Sequence, residues 1–413
     1  MPPKKKKANQ AKMAREVKDR RTDTQAVLSA ARQPHSESRQ LPKDLLQPVL
    51  NVFSNTFSTM FNSDLPSLIQ QMKKHLYNRD FDSAFRQQRF LEAYTVRWSP
   101  SRALAYSQIL CNLPTVSAGI LSGLTGRFEN GESQVLTETT RSNAPDVPHP
   151  SSNIPQDFDG LEGGSSRIVC IGAGAGAEVV ALGASLNYLE KFVSDKQNNS
   201  ESVKSLGNTA RRIKLDVTAI DIADWEPVIL RLYSGITTAP PLSSYAPAEV
   251  KAINEALAEP FVYNLRFLQQ DILKMEDADL AATFTDAKLV TLMFTLNELY
   301  SCSIAATTNL LLSMTTLLSP GALLLVIDSP GSYSTVKLGT ASDESKRYPM
   351  QWLLDHTLLD SAAIGSSKDH STRMDQWNKL ETRGSEWFRL PKGLIYPITL
   401  EDMRYQLHLY RRI

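Results

Sequence analysis

The sequence predicts an α/β protein in which an N-terminal helical domain precedes a doubly wound, mostly parallel β-sheet. Apolar strand-like runs alternate with helical segments over residues 167–330, as is typical of parallel sheets with helices on both faces. The first run, Arg167–Ile171, leads into Gly172-Ala173-Gly174-Ala175-Gly176, after which a helix is predicted from Ala177. Residues 41–125, in contrast, carry apolar side chains at the three- and four-residue spacing of helices.

Changes in composition along the chain predict the domain boundaries. Residues 1–40 hold eleven Lys or Arg and four acids, a net charge of +7, whereas the remaining residues sum to −6. This tail is predicted to be mobile, and its Lys4–Lys7 block predicts nuclear targeting or RNA contact, or alternatively a solvated arm. Residues 126–166 are rich in Pro, Gly and Ser and predict a linker or long loop. The helical domain therefore spans 41–125 and the sheet domain 167–413.

The overall composition argues against several classes of protein. The 413-residue chain is 42% hydrophobic and 22% charged, as expected of a soluble globular protein. No apolar run reaches the ~18 residues of a membrane-spanning helix, and no apolar segment follows the basic start, so we expect neither a membrane protein nor a standard secreted one. The three cysteines and six histidines are scattered, so we predict neither a disulfide framework nor a metal site.

Apolar runs and turn signals predict the other elements of the sheet domain. Continuous apolar runs are expected of strands covered on both faces, and the alternation at the C-terminus predicts an antiparallel strand. The predicted strands after the first are Lys214–Asp221, Phe261–Gln269, Ala287–Leu296, Ala322–Asp328 and Met403–Arg412. Helices are predicted over Ala177–Phe192, Pro247–Ala258, Ser303–Leu318 and Tyr348–Leu359, and a polar loop is predicted before the last strand.

Polar residues follow these strands at their carboxyl ends, where open parallel sheets bind ligands. Besides the glycine stretch they are Asp221, Asp271, Asn297 with Glu298, and Asp328. An acid after the second strand suits the hydroxyls of a ribose. The Asp271 carboxylate suits a hydrogen bond from an adenine amino group, although an Asp at the end of a strand is as often the N-cap of the following helix. The pattern predicts a nucleotide-like cofactor.

Other functions fit parts of this pattern. Gly172-x-Gly174-x-x-Ala177 also matches the loop of NAD-dependent dehydrogenases, whose ribose acid lies ~20 residues after the glycines. Here Glu190 falls inside a predicted helix, and Asp221 lies 45 residues beyond Gly176. An RNA-binding assembly factor that keeps the fold without turnover would share the tail and the helical domain. The glycine stretch alone also fits a merely flexible turn.

The order of these residues resembles that of the class I S-adenosylmethionine (SAM)-dependent methyltransferases, whose fold is a seven-stranded sheet. The matching features are Gly172-x-Gly174-x-Gly176, Asp221, Gln270-Asp271 and Asn297. Two positions depart from the pattern of that fold. Cys170 stands where these enzymes usually carry an acid, and Asn297-Glu298-Leu299-Tyr300 replaces the Asn/Asp-Pro-Pro-Tyr/Phe element of many amino methyltransferases.

A closer resemblance, over nearly the whole chain, is to the fungal 25S ribosomal RNA (uridine-N3) methyltransferases. The similar segments are the lysine-rich start, Tyr94–Tyr106, Ile171–Glu178, Phe294–Tyr300 and the basic C-terminal strand. The resemblance implies an enzyme that uses SAM to methylate large-subunit ribosomal RNA at N3 of a uridine. It further implies ribosomal RNA or a pre-ribosomal particle as partner, and a location in the nucleus and nucleolus, with the cytoplasm as a further site. No membrane or metal is expected, and the oligomeric state stays open.

The resemblance also assigns roles to residues. The N3 imide of uridine carries a proton, so Asn297 is expected to orient its carbonyl and Glu298 to act as general base, or alternatively to stabilise a helix start. Tyr300 is expected to stack on the uracil, and Asp328 is a spare carboxylate. The residues expected to bind the cofactor are Gly172, Ala173, Gly174, Gly176, Asp221, Ile222, Asp271 and Ile272.

A basic and aromatic cluster in the helical domain is the candidate RNA contact. Arg97, Trp98 and Arg102, together with Tyr106, are predicted to open a helix in a module of three to five helices. Such a cluster binds RNA through its phosphates and by stacking. The same residues would equally serve as a packing seam against the sheet.

Overall fold

The computed structural model describes residues 40–121, 165–198, 213–252, 254–331, 333–337, 345–361 and 375–413. The basic tail and the linker predicted over 126–166 therefore lie outside the described residues, apart from their last positions. Residues Pro42–Ile413 belong to one compact unit, and the predicted boundary between a helical and a sheet domain stays a prediction. Among the described helices none is by itself long and apolar enough to cross a membrane, although Gln88–Asn112 and Pro114–Leu121, bent by 87°, meet those criteria together.

The described structure centres on a mostly parallel β-sheet. The described strands are, in chain order, β1 (Ser165–Ile171), β2 (Lys214–Asp221), β3 (Tyr263–Gln269), β4 (Ala287–Met293), β5 (Leu323–Asp328), β6 (Tyr333–Lys337), β7 (Ser345–Pro349), β8 (Trp377–Phe388) and β9 (Met403–Arg412). Strands β6 and β7 form a separate hairpin. The other seven form one sheet in the order β3-β2-β1-β4-β5-β9-β8. The first five are parallel, and β9 pairs antiparallel with β5 and β8. The predicted fold class is confirmed.

Helices cover both faces of this sheet. They are α1 (Lys43–Thr56), α2 (Leu65–Tyr77), α3 (Phe81–Phe85), α4 (Gln88–Asn112), α5 (Pro114–Leu121), α6 (Ala177–Asn198), α7 (Glu226–Thr237), α8 (Ala248–Ala252), α9 (Asp277–Phe284), α10 (Leu296–Cys302), α11 (Ile304–Leu317) and α12 (Met350–Asp355). Side chains alternate between faces along a strand, so Val169 and Ile171 pack with α9, α11 and α12 on one face. On the other face α4 packs against α6, close to β1.

Helix α4 runs without a break through Pro100, so the prediction that a new helix opens at Arg97 is wrong. A proline inside a helix has no N–H, which here leaves the Val96 carbonyl without its usual donor. The hydroxyl of Tyr396, from the loop between β8 and β9, donates to that carbonyl at 2.9 Å. This bond and the burial of much of the helix offset the ~3 kcal/mol cost of an interior proline.

The fourth strand ends earlier than predicted, at Met293 instead of Leu296. Phe294 has a left-handed backbone, with φ 60°, which an extended strand cannot continue. Its N–H donates to the Ile327 carbonyl at 2.6 Å, tying the ends of β4 and β5 together. The chain then turns directly into α10, so Asn297, Glu298 and Tyr300 follow the strand as predicted but lie in a helix.

Other differences concern segments with weak apolar patterns. The helix predicted over Pro247–Ala258 is only the five-residue α8, and the one predicted from Tyr348 begins at Met350, after β7. Strand β8 lies in the segment predicted to be a polar loop. It is an edge strand whose side chains are largely half-buried or exposed, so it lacks the apolar run that identifies an inner strand.

Candidate functional site

The glycine loop between β1 and α6 is packed too closely to admit side chains. Gly172 and Gly176 have φ of 76° and 77°, which favours glycine. A Cβ atom on Gly172 would lie 2.2 Å from the Thr295 hydroxyl, and one on Gly174 would lie 2.0 Å from the Trp225 ring. The loop is therefore fixed between the end of β4 and the residues after β2.

Asp221 stands at the end of β2, directly beside this loop. Its Oδ2 accepts a hydrogen bond from the Gly174 N–H at 3.0 Å, and Oδ1 accepts one from the Ala223 N–H at 3.2 Å. Burial raises the pKa of Asp221 to about 6, against the effect of these donors. The next residue, Ile222, is 65% exposed. A carboxylate at the end of β2 beside an exposed apolar side chain fits the ribose and base of an adenosine.

The end of β3 lies next to Asp221, since the Gln270 N–H donates to the Asp221 carbonyl at 2.8 Å. Asp271 caps the short turn that follows: its Oδ1 accepts from the Leu273 N–H at 3.1 Å, and its Oδ2 pairs with Lys274 at 2.8 Å. Ile272 is buried. The structure thus shows the N-cap role for Asp271, and its contact with adenine stays a prediction.

Glu178, in the first turn of α6, is a buried acid that the sequence analysis missed. Its side chain is 3% exposed, and Oε2 accepts from the Thr291 hydroxyl at 2.9 Å. Oε1 has no hydrogen-bond partner within the described part of the chain. Burial raises the pKa of Glu178 to about 7. Because Thr291 is the register partner of Cys170, a carboxyl group from the helix approaches the position where the strand lacks one. An acid within the otherwise apolar run Ala177–Leu182 was the available signal.

The ends of β4 and β5 form the other half of the same sheet edge. The Asn297 N–H donates to Asp328 Oδ2 at 3.0 Å, and the Ser329 N–H donates to Oδ1 at 2.7 Å. Burial raises the pKa of Asp328 to about 6. Asp328 therefore anchors the start of α10, which presents Asn297 half-buried and Glu298 exposed. Glu298 also lies in the first helical turn, where an acid stabilises the helix, so its predicted role as a base stays open.

Tyr300 does not lie with these residues. Its side chain is 2% exposed and belongs to the apolar cluster with Leu310 and Met350. Helix α10 packs this ring into the core, away from the sheet edge. A ring enclosed in this way presents no face to a base, so the stacking role predicted for Tyr300 is wrong.

Helix α4 lies against the glycine loop through one of its faces. The Ser99 hydroxyl donates to the Ala175 carbonyl at 2.7 Å. One turn on, Arg102 Nη1 donates to the Tyr94 hydroxyl at 2.7 Å, and the guanidinium lies 5.0 Å from the centre of the Phe294 ring. The Tyr94 ring lies 4.8 Å from Trp98 and 5.9 Å from Trp225. Trp98 and Arg102 are thus near the glycine loop and the end of β4.

Arg97 occupies a different face of α4 from Arg102. It is 9% exposed and forms an ion pair with Glu401, from the segment that precedes β9. A buried, paired guanidinium is not available to a phosphate, so the prediction that Arg97 binds RNA is wrong, and the packing-seam alternative describes it.

Comparison with known proteins identifies the family of the chain. Residues 53–411 match the model of a family described as "Putative SAM-dependent methyltransferase". A relative from Saccharomyces cerevisiae, the 25S rRNA (uridine(2843)-N(3))-methyltransferase, is 28% identical over 372 residues, covering 88% of this chain and 85% of the relative.

Solved methyltransferases share the fold only distantly. A SAM-dependent methyltransferase from Methanosarcina mazei is 10% identical, covering 60% of this chain and 93% of that one, with a TM-score of 0.31. One from Clostridium acetobutylicum is 9% identical, covering 60% and 84%, with a TM-score of 0.28.

The family match and the geometry of the sheet edge both indicate SAM as the cofactor. A glycine loop without room for side chains, an acid at the end of β2 and the exposed Ile222 suit the adenosine part of SAM. The family match favours this cofactor over NAD. With 53–411 matched, the chain belongs to this family of SAM-dependent methyltransferases.

Proposed function

We propose that this protein methylates large-subunit ribosomal RNA at N3 of a uridine. The observation that carries the proposal is the similarity to the yeast 25S rRNA (uridine(2843)-N(3))-methyltransferase, which extends over 88% of the chain. The exposed Glu298 and the half-buried Asn297, which follow β4 near the glycine loop, support access of an acceptor base to this edge.

In this proposal, different residues at the sheet edge bind the cofactor and act on the acceptor base. SAM, when bound, supplies a methyl group on a cationic sulfur. Asp221 and Ile222 bind the adenosine part, and the closely packed loop leaves little freedom around it. Placing the two reactants in line and excluding water from the site supplies most of the acceleration.

The acceptor nitrogen must lose its proton as the methyl group arrives. Glu298 is the proposed base: its exposed carboxylate would take the proton from N3 and release it to solvent. Asn297 orients the imide carbonyl. Asp328 is less suited, because both of its oxygens already accept backbone N–H groups. It positions Asn297 and Glu298 instead.

The location of the protein is part of the proposal. A uridine in large-subunit ribosomal RNA would be reached in a pre-ribosomal particle, in the nucleus and nucleolus, with the cytoplasm as a further site. The +7 charge of residues 1–40 supports attraction to RNA and nuclear targeting. Removal of these residues is expected to lower RNA affinity or nuclear accumulation and to leave cofactor affinity unchanged.

The acceptor is tested with ribosomal RNA from cells that lack the protein. The full chain is incubated with this RNA and methyl-labelled SAM, and the nucleosides are separated and identified by mass spectrometry. We expect the label in N3-methyluridine of the large-subunit RNA. Label in another nucleoside, or none despite intact SAM binding, would reject the proposal, and the second result would favour a non-catalytic assembly factor.

A further inference from the structure

Arg102 is an enclosed cation that the described chain leaves without an ion pair. Its Nη1 donates to the Tyr94 hydroxyl at 2.7 Å, and its guanidinium lies over the rings of Phe294 and Tyr94, 5.0 and 5.7 Å from their centres. Within the described ranges, no carboxylate lies within ion-pair distance of it. The side chain is half-buried, so one side of it remains accessible.

The position of Arg102 is set by contacts on either side of it. Ser99, one turn earlier on the same face of α4, is bonded to the Ala175 carbonyl of the glycine loop. Phe294, under the guanidinium, follows β4, and its N–H is bonded to the Ile327 carbonyl of β5. The cation therefore lies between the glycine loop and the end of β4, at the sheet edge that binds the cofactor.

The guanidinium keeps its charge there. Burial opposes the charge, but Tyr94, Tyr106 and Asp328 outweigh it and hold the pKa of Arg102 above its ordinary value. No carboxylate within the described ranges lies at ion-pair distance, so a ligand that brings an anion to the same place gains a charge-assisted hydrogen bond. The planar fork of Arg matches a carboxylate in particular.

The anion can be identified from the cofactor itself. The adenosine end of SAM is uncharged, and its sulfonium and ammonium groups are cations, so the carboxylate of the amino-acid end is its one anion. We infer that Arg102, held by Tyr94, binds this carboxylate and so fixes the amino-acid end of SAM between the glycine loop and β4. The inference concerns the cofactor of the family and does not depend on uridine as the acceptor.

The test compares ligands that differ only in the amino-acid end. Calorimetry on the full chain measures the affinity for S-adenosylhomocysteine, which carries the carboxylate, and for 5′-methylthioadenosine, which lacks the amino acid. In Arg102→Gln the affinity for S-adenosylhomocysteine is expected to fall about 10- to 100-fold, as for a lost charge-assisted hydrogen-bonded pair, while that for 5′-methylthioadenosine stays within twofold. Arg102→Lys should restore part of the loss.

The controls separate binding from folding. Arg89→Gln removes an exposed guanidinium from the same helix and should change neither affinity. Tyr94→Phe deletes only the hydroxyl that holds Arg102, so if Arg102→Gln does not fold, a smaller loss confined to S-adenosylhomocysteine supports the inference.

Two outcomes would overturn it. An equal loss for both ligands would mean that Arg102 shapes the site without touching the carboxylate. Unchanged cofactor affinity together with weaker binding of a uridine-rich RNA oligonucleotide would assign Arg102 to an RNA phosphate. The calorimetry with S-adenosylhomocysteine and 5′-methylthioadenosine contains no RNA, so the two cofactor affinities do not depend on whether the proposed acceptor is correct.

Discussion

The two halves of the sheet edge hold their polar side chains in different ways. In the half formed by β1 and β2, the Asp221 carboxylate accepts two backbone N–H groups, and Gly174 has no room for a methyl group. In the half formed by β4 and β5, Asn297 is fixed through its backbone, and Glu298 is exposed. The first half is thus organised in advance for a cofactor of constant shape. The second leaves side chains available to an acceptor that arrives separately.

The largest expected effect is a lower rate of methyl transfer with unchanged cofactor affinity, which would distinguish the roles of the two halves. Glu298→Gln should lower the rate of methyl transfer about 10²- to 10⁴-fold, because the general base is lost, and should leave S-adenosylhomocysteine affinity unchanged. Single-turnover transfer to ribosomal RNA and calorimetry measure the two quantities, with Cys302→Ser, also exposed on α10, as control. A wild-type rate would leave Glu298 with only its role at the helix start.

The glycine loop should tolerate no enlargement. Gly174→Ala places a methyl group 2.0 Å from the Trp225 ring, so we expect the free energy of unfolding to fall by about 2–3 kcal/mol and cofactor binding to weaken. Gly384→Ala, where the added Cβ meets nothing within 4 Å, is the matched control. Equal thermal unfolding curves for the two variants would show that the loop adapts and is not preorganised.

Removal of the acid at the end of β2 should weaken the binding of the cofactor. Asp221→Asn is expected to weaken S-adenosylhomocysteine by about 1–3 kcal/mol, the cost of a lost charged acceptor in an enclosed position. The exposed neighbour Asp224→Asn should bind as the wild type does. An unaltered affinity in a folded Asp221 variant would exclude this carboxylate from the cofactor site.

The buried Glu178 predicts a smaller effect that depends on pH. Its pKa is about 7 when folded, above the ordinary 4.5, so the stability of the protonated form is fully present below pH 4.5 and is lost as pH rises through 7. Relative to wild type, Glu178→Gln should therefore be stabilised more at pH 8 than at pH 5, by about 2–3 kcal/mol.

Urea unfolding of the cofactor-free protein at both pH values measures this gain, with Glu249→Gln, at an exposed position, as control. The same gain at pH 5 and pH 8 would mean that the carboxyl group does not titrate in the folded state.

The parts of the fold that the sequence predicted are those in which local pattern and tertiary environment agree. Strands β1, β2 and β5 are apolar runs bounded by turn residues, and the glycine loop is a local signal. The end of β4 was misplaced because the left-handed backbone of Phe294 is fixed by its bond to Ile327, which is distant in sequence.

The site was predictable to a similar extent. Asp221 and Asn297 follow strands and were found by position. The burial of Glu178 and Tyr300 was not, because residues on a helix face the core or the solvent according to how the helix packs. Arg97 and Arg102 lie on the same helix and in the same sequence motif. Only the packing of α4 shows that Arg97 forms a structural ion pair, whereas Arg102 lies near the glycine loop.

The bond between Tyr396 and Val96 has a consequence for the order in which the protein matures. The helix that carries Arg102 is translated in the first third of the chain, yet the carbonyl exposed by its proline finds its donor 300 residues later. The ribosome must therefore release almost the entire chain, including the strand β9 that lies between β5 and β8, before α4 and the sheet edge beneath it are complete. A chain cut before residue 396 lacks the hydroxyl that donates to the Val96 carbonyl of its longest described helix.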